Sequence, residues 1–390
     1  MSSLSSIAKK CAIRLPLAAA GSLLAVGLLW ILDRFVVGHT LATDDGLVLP
    51  PGSRVVYETG EFRFTAEVNR LGFRDHEFSV QRVAGRRRVL AIGDSCTYGW
   101  GVELEQSWPK RLEQNLRRAS VRVEIANLGK VAAGPVEYAR IASRAIPELR
   151  PDVVIVGVTQ GDDLEQLDGR IGESAPDVQP SLLERATTDL FPHLKRLLVR
   201  QDVTSTWHEQ VADLLKSASR EERARFARLD HSIRADYREG RLNPGLLRLA
   251  LWRPDYFSRH ENPRDPATRE LIARMAVQLE RIGEFAAAAG AHVIVVSVPS
   301  AAYVSVEGQL TRQRLGFVLE PDALVDDGPD ESIRLAAAAS SVPFVSVTDA
   351  FRRHRRARLF FPLDGHLTEE GHDLLAAGIT PVVLDALAGR

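Results

Sequence analysis

Five short runs, Arg88 to Ile92, Val121 to Ala126, Val153 to Val158, His292 to Val298 and Phe344 to Val347, read as buried strands because they are apolar and rich in β-branched residues. Helix-patterned segments separate them, among them SWPKRLEQNLRRA and TRELIARMAVQLERIGEFAAAAG, where Gly290 is a natural stop. Strands that alternate with helices in this way need crossover connections. The chain is therefore expected to form a parallel sheet covered by helices on both faces, with ligands bound at the carboxyl ends of the strands.

The length of 390 residues suffices for one large or two modest units. A net charge of -1 gives no electrostatic reason to expect nucleic acid as a partner. Cys11 and Cys96 exclude a disulfide framework, and no His/Cys/Asp cluster with zinc spacing or glycine-rich phosphate loop is present, so neither a metal nor a cofactor is expected.

Four regions follow from patterning. Residues 1–38 read as a cytoplasmic tail and membrane anchor: Leu15 to Leu32 carries no charge, and a helix of that length rises roughly 27 Å, enough to cross a bilayer's hydrocarbon. Lys9, Lys10 and Arg14 precede it, which by the positive-inside rule leaves the amino terminus in the cytoplasm and the rest outside. A cleaved signal peptide is the competing reading, with a shorter apolar stretch and a small-x-small site that is not evident before Asp33. Residues 39–85 read as a β-hairpin leader, from SRVVYET and EFRFTAEV. Residues 86–390 form the α/β domain, interrupted by a helical insertion over 164–266 that is too long for a plain loop. The basic FRRHRRARLF, Phe351 to Phe360, is a solvated face or a surface for anionic headgroups or acidic polymers.

The chemistry concentrates at RRRVLAIGDSCTYGWGV, where a buried strand runs straight into Gly93-Asp94-Ser95. Ser95 at the strand's carboxyl end is a turn former or a nucleophile. A nucleophile needs a base, and FPLDGHLTEEGHDLLAAGI supplies one: Thr368 reads as a helix N-cap, so Asp364 and His366 lie on the loop before the last helix. Two residues apart in an extended loop, the carboxylate can hold one ring nitrogen while the other takes the serine's proton. His372 falls inside the helix and reads as a packing or capping residue, and Asp94 as a brace for the turn.

Gly93-Asp94-Ser95, Asn127-Leu128-Gly129, QGDDL after the third strand and Asp364-Gly365-His366, in this order, resemble the four blocks of the SGNH or GDSL hydrolases. The resemblance covers most of Arg86 to Arg390 outside the insertion, and NRLGFRDHEF is similar to the segment preceding this domain in membrane-anchored members. It implies a flavodoxin-like three-layer αβα sandwich, with Ser95 as nucleophile, His366 as general base and Asp364 as its orienting partner. It also implies an oxyanion hole from the N–H groups of Ser95 and Gly129 and an asparagine amide. Where the family has that asparagine this chain has Asp162, which when ionised only accepts hydrogen bonds. A lost oxyanion donor costs about a hundred- to a thousand-fold in rate. Three outcomes are open: Asp162 is held protonated, Gln160 donates in its place, or the protein is slow or inactive. The expected function is therefore a membrane-tethered serine esterase acting on O-acetyl or lipid esters outside the cytoplasm. Alternatives are an O-acyltransferase modifying an exopolysaccharide or envelope glycan, and a catalytically impaired binding protein. Activity should rise through roughly pH 6 to 7 as His366 loses its proton.

Overall fold

The computed structural model describes residues 21–32, 51–168, 207–260, 262–319, 324, 327–354 and 358–389. The chain divides into two compact units, and of the first, Met1–Thr40 with Pro176–Gln201, the described part is an exposed apolar helix, α1 (Gly21–Ile31). The first six residues of the expected anchor, the stretch 169–206 of the expected insertion and three residues of the basic cluster, 355–357, lie outside the described residues.

The second unit, Leu41–Ala175 with Asp202–Arg390, contains the leader, the α/β core and the helices after residue 206. Its leader opens with an antiparallel hairpin, β1 (Arg54–Glu58) and β2 (Arg63–Glu67). Five parallel strands follow: β3 (Arg87–Gly93), β4 (Val123–Gly129), β5 (Val153–Thr159), β6 (His292–Val298) and β7 (Phe344–Ser346). They lie in the order β4-β3-β5-β6-β7. That is the flavodoxin-like order, with the switch point between β3 and its two neighbours.

Alternation along the strands sorts their side chains onto two faces. Leu90, Ile92, Val154, Val156 and Val295 pack with Ile141 and Ile146 of α4 (Pro135–Leu149) and Met275 and Ile282 of α9 (Pro266–Ala288). Val89, Ala91, Ile155 and Val296 pack on the other side with Trp108 and Leu112 of α3 (Trp108–Arg118) and Leu375 and Ile379 of α14 (Glu369–Ala388). The result is the expected three-layer sandwich. By length and composition α14 is the one described helix able to cross a membrane, but Leu375, Ile379 and Val383 are buried in this core.

Between β5 and α9 come α5 (Trp207–Ser217), α6 (Arg220–Arg228), α7 (His231–Arg238) and α8 (Pro244–Trp252). They share a separate core with Tyr303 of α10 (Ala301–Val304), and Leu315 and Phe317 after α11 (Val306–Arg314). The sheet ends at β4, whose outer backbone is not left bare. Ile125 N–H donates to Glu113 (3.0 Å), Lys110 donates to Ile125 O (2.7 Å), and Asn127 N–H donates to Asp75 (2.8 Å). Side chains thus occupy the groups an edge strand would offer to another chain.

Candidate active site

Ser95 is the first residue of a single helical turn, α2 (Ser95–Tyr98). Asp94 caps that turn by accepting the Cys96 N–H (2.9 Å), and it also accepts the Thr159 hydroxyl (2.7 Å) from the end of β5. Burial, reinforced by the charge of Asp162, pushes the Asp94 pKa up to about 6. Below the turn, Gly93 is aligned with Gly129 on one neighbouring strand and with Gly157 on the other. A Cβ at Gly93 would stand 2.1 Å from Thr97 Oγ1, and one at Gly129 would stand 2.2 Å from the Tyr98 nitrogen. Three glycines in a row across the sheet let the Ser95 turn lie directly on the strand ends.

His366 approaches from the loop before α14. Its Nε2 is 2.7 Å from Ser95 Oγ, and its Nδ1 is 2.5 Å from Asp364 Oδ1. Gly365, between the two, has φ +84°, and a side chain there would run into the Arg312 guanidinium. Burial alone would favour a neutral ring, but the charge and hydrogen bond of Asp364 outweigh it and hold the His366 pKa above the ordinary histidine value. For Asp364 burial opposes ionisation, and His366 and Arg312 overcome it, keeping that carboxyl below its usual range. The tautomer with Nδ1–H toward Asp364 leaves Nε2 free to accept the serine proton.

The expected oxyanion residues fare differently. The Gly129 N–H donates to Asn127 Oδ1 (2.9 Å), so that donor is already spent. Gly134, the N-cap of α4 in the loop that follows β4, has an N–H with no acceptor among the described residues. A Cβ on it would stand 2.4 Å from Gln166 Oε1. Gln160 is removed from the substitute-donor role: it is buried, and its amide nitrogen has Ser297 (3.1 Å), Asp330 (2.8 Å) and Thr348 (2.7 Å) within hydrogen-bond distance, enough to occupy both of its hydrogens. Asp162 accepts from the Tyr256 hydroxyl and from Gln166 Nε2 (3.0 Å), which ties it to the segment after α8. His372 is buried, with Nδ1 accepting the Trp108 N–H (3.1 Å), and burial drives its pKa down to about 3.

Two carboxylate clusters could be taken for metal sites. Asp94, Asp162 and Asp163 lie together, but Asp163 accepts the Tyr138 hydroxyl (2.8 Å) and the Thr159 N–H (2.8 Å), and burial with Asp94 raises its pKa well above normal. A carboxyl held neutral, as Asp163 is, makes a poor cation ligand. Glu165, Asp168 and His260 form the second, and there Arg253 pairs with both carboxylates (3.1 and 3.2 Å) while Arg259 stands 3.6 Å from Asp168. Guanidiniums already stand against both carboxyls, and burial pushes the Glu165 pKa up to about 8.

Two side chains from the leader touch the site region and were not singled out from the sequence. Arg74, fully buried, donates to the carbonyls of Tyr98 (3.1 Å), Gly99 (2.6 Å) and Val102 (2.7 Å) just past the Ser95 turn. Glu61 accepts the N–H groups of Leu363 (2.8 Å) and Asp364 (2.6 Å). A buried arginine could have been suspected from its apolar neighbours in NRLGFRDHEF, whereas nothing local marks Glu61.

No family model matches the chain, and no curated protein does. Among solved structures it is similar to an acetyl xylan esterase at 10% identity, covering 76% of this chain and 99% of that one with a TM-score of 0.37. A lipase/acylhydrolase from Enterococcus faecalis is 12% identical, with coverage of 76% and 95% and a TM-score of 0.36. A GDSL-like lipase from Bacteroides thetaiotaomicron is 13% identical, with coverage of 78% and 92% and a TM-score of 0.33. At so distant a likeness the chain's own residues carry its chemistry. The fold and site together define a class: a doubly wound α/β sandwich with a serine, a histidine and an aspartate hydrogen-bonded in line at the strand ends.

Proposed function

We propose that this chain is a serine hydrolase that cleaves acyl esters. The observation that carries the reading is the continuous line from Ser95 Oγ to His366 Nε2 (2.7 Å) and from Nδ1 to Asp364 (2.5 Å). In the first step Ser95 Oγ bonds to the ester carbonyl carbon as its proton passes to Nε2, and Asp364 stabilises the imidazolium. The negative charge that develops on the carbonyl oxygen is met by the Ser95 N–H at the start of α2, and Gly134, whose N–H has no acceptor among the described residues, is the candidate second donor in place of Gly129. Collapse breaks the bond to the alcohol, which leaves with the proton from Nε2. Water, deprotonated by the same nitrogen, then frees the acid and restores Ser95.

The substrate is proposed to be an O-acetyl or lipid ester outside the cytoplasm, with the chain tethered through its amino-terminal apolar segment; the exposed apolar helix α1 and the basic residues before it support this. A chromogenic acetyl ester offered to the protein tests the activity: the expected result is turnover that falls at least about 10⁴-fold in Ser95→Ala. Equal turnover by the two proteins would dismiss the assignment. Adding an oligosaccharide to the same assay separates transfer to sugar from hydrolysis.

A further inference from the structure

The hairpin turn between β1 and β2 is held tightly. Thr59 Oγ1 accepts the N–H groups of Glu61 (3.1 Å) and Phe62 (3.2 Å), and the Thr59 N–H donates to Phe62 O (2.9 Å). Glu61 is thereby presented at a fixed place. Its two carboxylate oxygens take the consecutive N–H groups of Leu363 and Asp364, at 2.8 and 2.6 Å, across 302 and 303 residues of sequence. Around this contact Phe62 meets Phe361 (ring centroids 4.9 Å apart) and Trp100 (6.2 Å), and Trp100 lies 6.1 Å from the His366 ring. Arg312 donates to Asp364 O (3.1 Å), in the next peptide along the loop.

From this arrangement we propose that Glu61 is a positioning residue for the reaction: by gripping two successive N–H groups it sets where the Asp364 carboxylate, and through it His366, stands relative to Ser95. The proposal rests on the hydrolase reading of the site. Consecutive N–H groups captured by one carboxylate fix a peptide in both position and tilt, and a shift of about 1 Å in a catalytic base costs on the order of a hundredfold. The leader then does more than cover the domain. Arg74 holds the turn after Ser95, Glu61 holds the loop bearing its base, and the two are thirteen residues apart on one short segment.

The charged groups facing this loop are Asp364 and His366 themselves, Arg312 from α11, Arg358 just ahead of it and Asp94 at the cap of α2. None of them can replace Glu61, since the cations offer no acceptor and the two aspartates are engaged elsewhere. Glu61→Gln keeps the shape but turns an amide NH₂ toward one of the two N–H donors. The expected result is a rate of Ser95 modification by a fluorophosphonate, and a kcat, lowered about tenfold or more with KM little changed. The acid limb of the pH profile should move to lower pH, because a loosened Asp364 no longer lifts the His366 pKa; a purely structural role would leave that limb in place. Should Glu61→Gln not yield folded protein, Glu61→Asp, with the same charge and a shorter reach, takes its place with the same expectation. Wild-type rate and limb in a folded variant overturn the role of Glu61, whereas failure of the wild type to react at Ser95 overturns the hydrolase reading and this proposal with it.

Discussion

Ser95 stands on a helical turn pressed onto three aligned glycines, whereas His366 stands on a loop whose backbone is gripped by side chains from elsewhere in the chain. The first support is made of main chain. Gly93, Gly129 and Gly157 lie abreast on three adjacent strands, and each leaves the space in which a Cβ would meet Thr97 or Tyr98 of the turn. The second is made of Glu61 and Arg312, one from the leader and one from α11, acting on the N–H groups of Leu363 and Asp364 and on the Asp364 carbonyl. Main-chain supports in a packed core have no slack, while a hydrogen-bonded loop can be displaced by small amounts. Ser95 is therefore fixed by the fold, and His366 is set by adjustable contacts.

That contrast can be broken from the sheet side first. Gly93→Ala adds one methyl 2.1 Å from Thr97 Oγ1 and 2.9 Å from Gly157 O, where neither neighbour can yield. The α2 turn must lift, and Ser95 with it. Expected are a stability loss of about 1–3 kcal/mol or more in chemical denaturation, and a kcat lowered about a hundredfold even below the unfolding transition. A stable, fully active Gly93→Ala protein would mean that the glycine row is not what seats the nucleophile. The Glu61 variants, acting on the adjustable side, are expected to cost less.

The smallest effect is expected at Asp162. Its oxygens are taken by the Tyr256 hydroxyl and Gln166, so Asp162→Asn weakens one charge-assisted bond and should cost about 1 kcal/mol in thermal stability. Turnover should change by less than tenfold. A rise of a hundredfold or more would show instead that this side chain reaches the developing oxyanion, since that is the size of effect a new donor in the hole brings.

The core was legible because apolar runs at strand length leave little choice. His292–Val298 falls where the pattern puts it, and β3, β5 and β7 differ by a residue or so at their ends. The run expected to end at Ala126 continues through Asn127 to Gly129: the Asn127 N–H donates to Asp75, and its side-chain oxygen accepts the Gly129 N–H. That same bond occupies the N–H expected to serve the oxyanion. Whether a donor is free or spent depends on side-chain geometry that residue types do not state: Gly129 is spent on Asn127 of its own block, and Gln160 on partners far along the chain. Ser95, Asp364 and His366 were readable because their residue types, with Ser95 just past a strand and the other two just before a capped helix, are local signals. Glu61 and Arg74 were not, since the groups they hold lie 302 and 24 residues away in the chain.

The most direct measurement of the central claim is the pH dependence of Ser95 modification by a fluorophosphonate in the intact protein, with the adduct located by peptide mapping. Because Asp364 lifts the His366 pKa, the ring stays protonated to higher pH than an ordinary histidine. The account predicts an adduct on Ser95 alone, formed at a rate that climbs with pH through a midpoint above the usual value of about 6.5. An adduct on another residue, no adduct in folded protein, or a rate that is flat down to about pH 5 would contradict the proton-transfer pair on which the account stands.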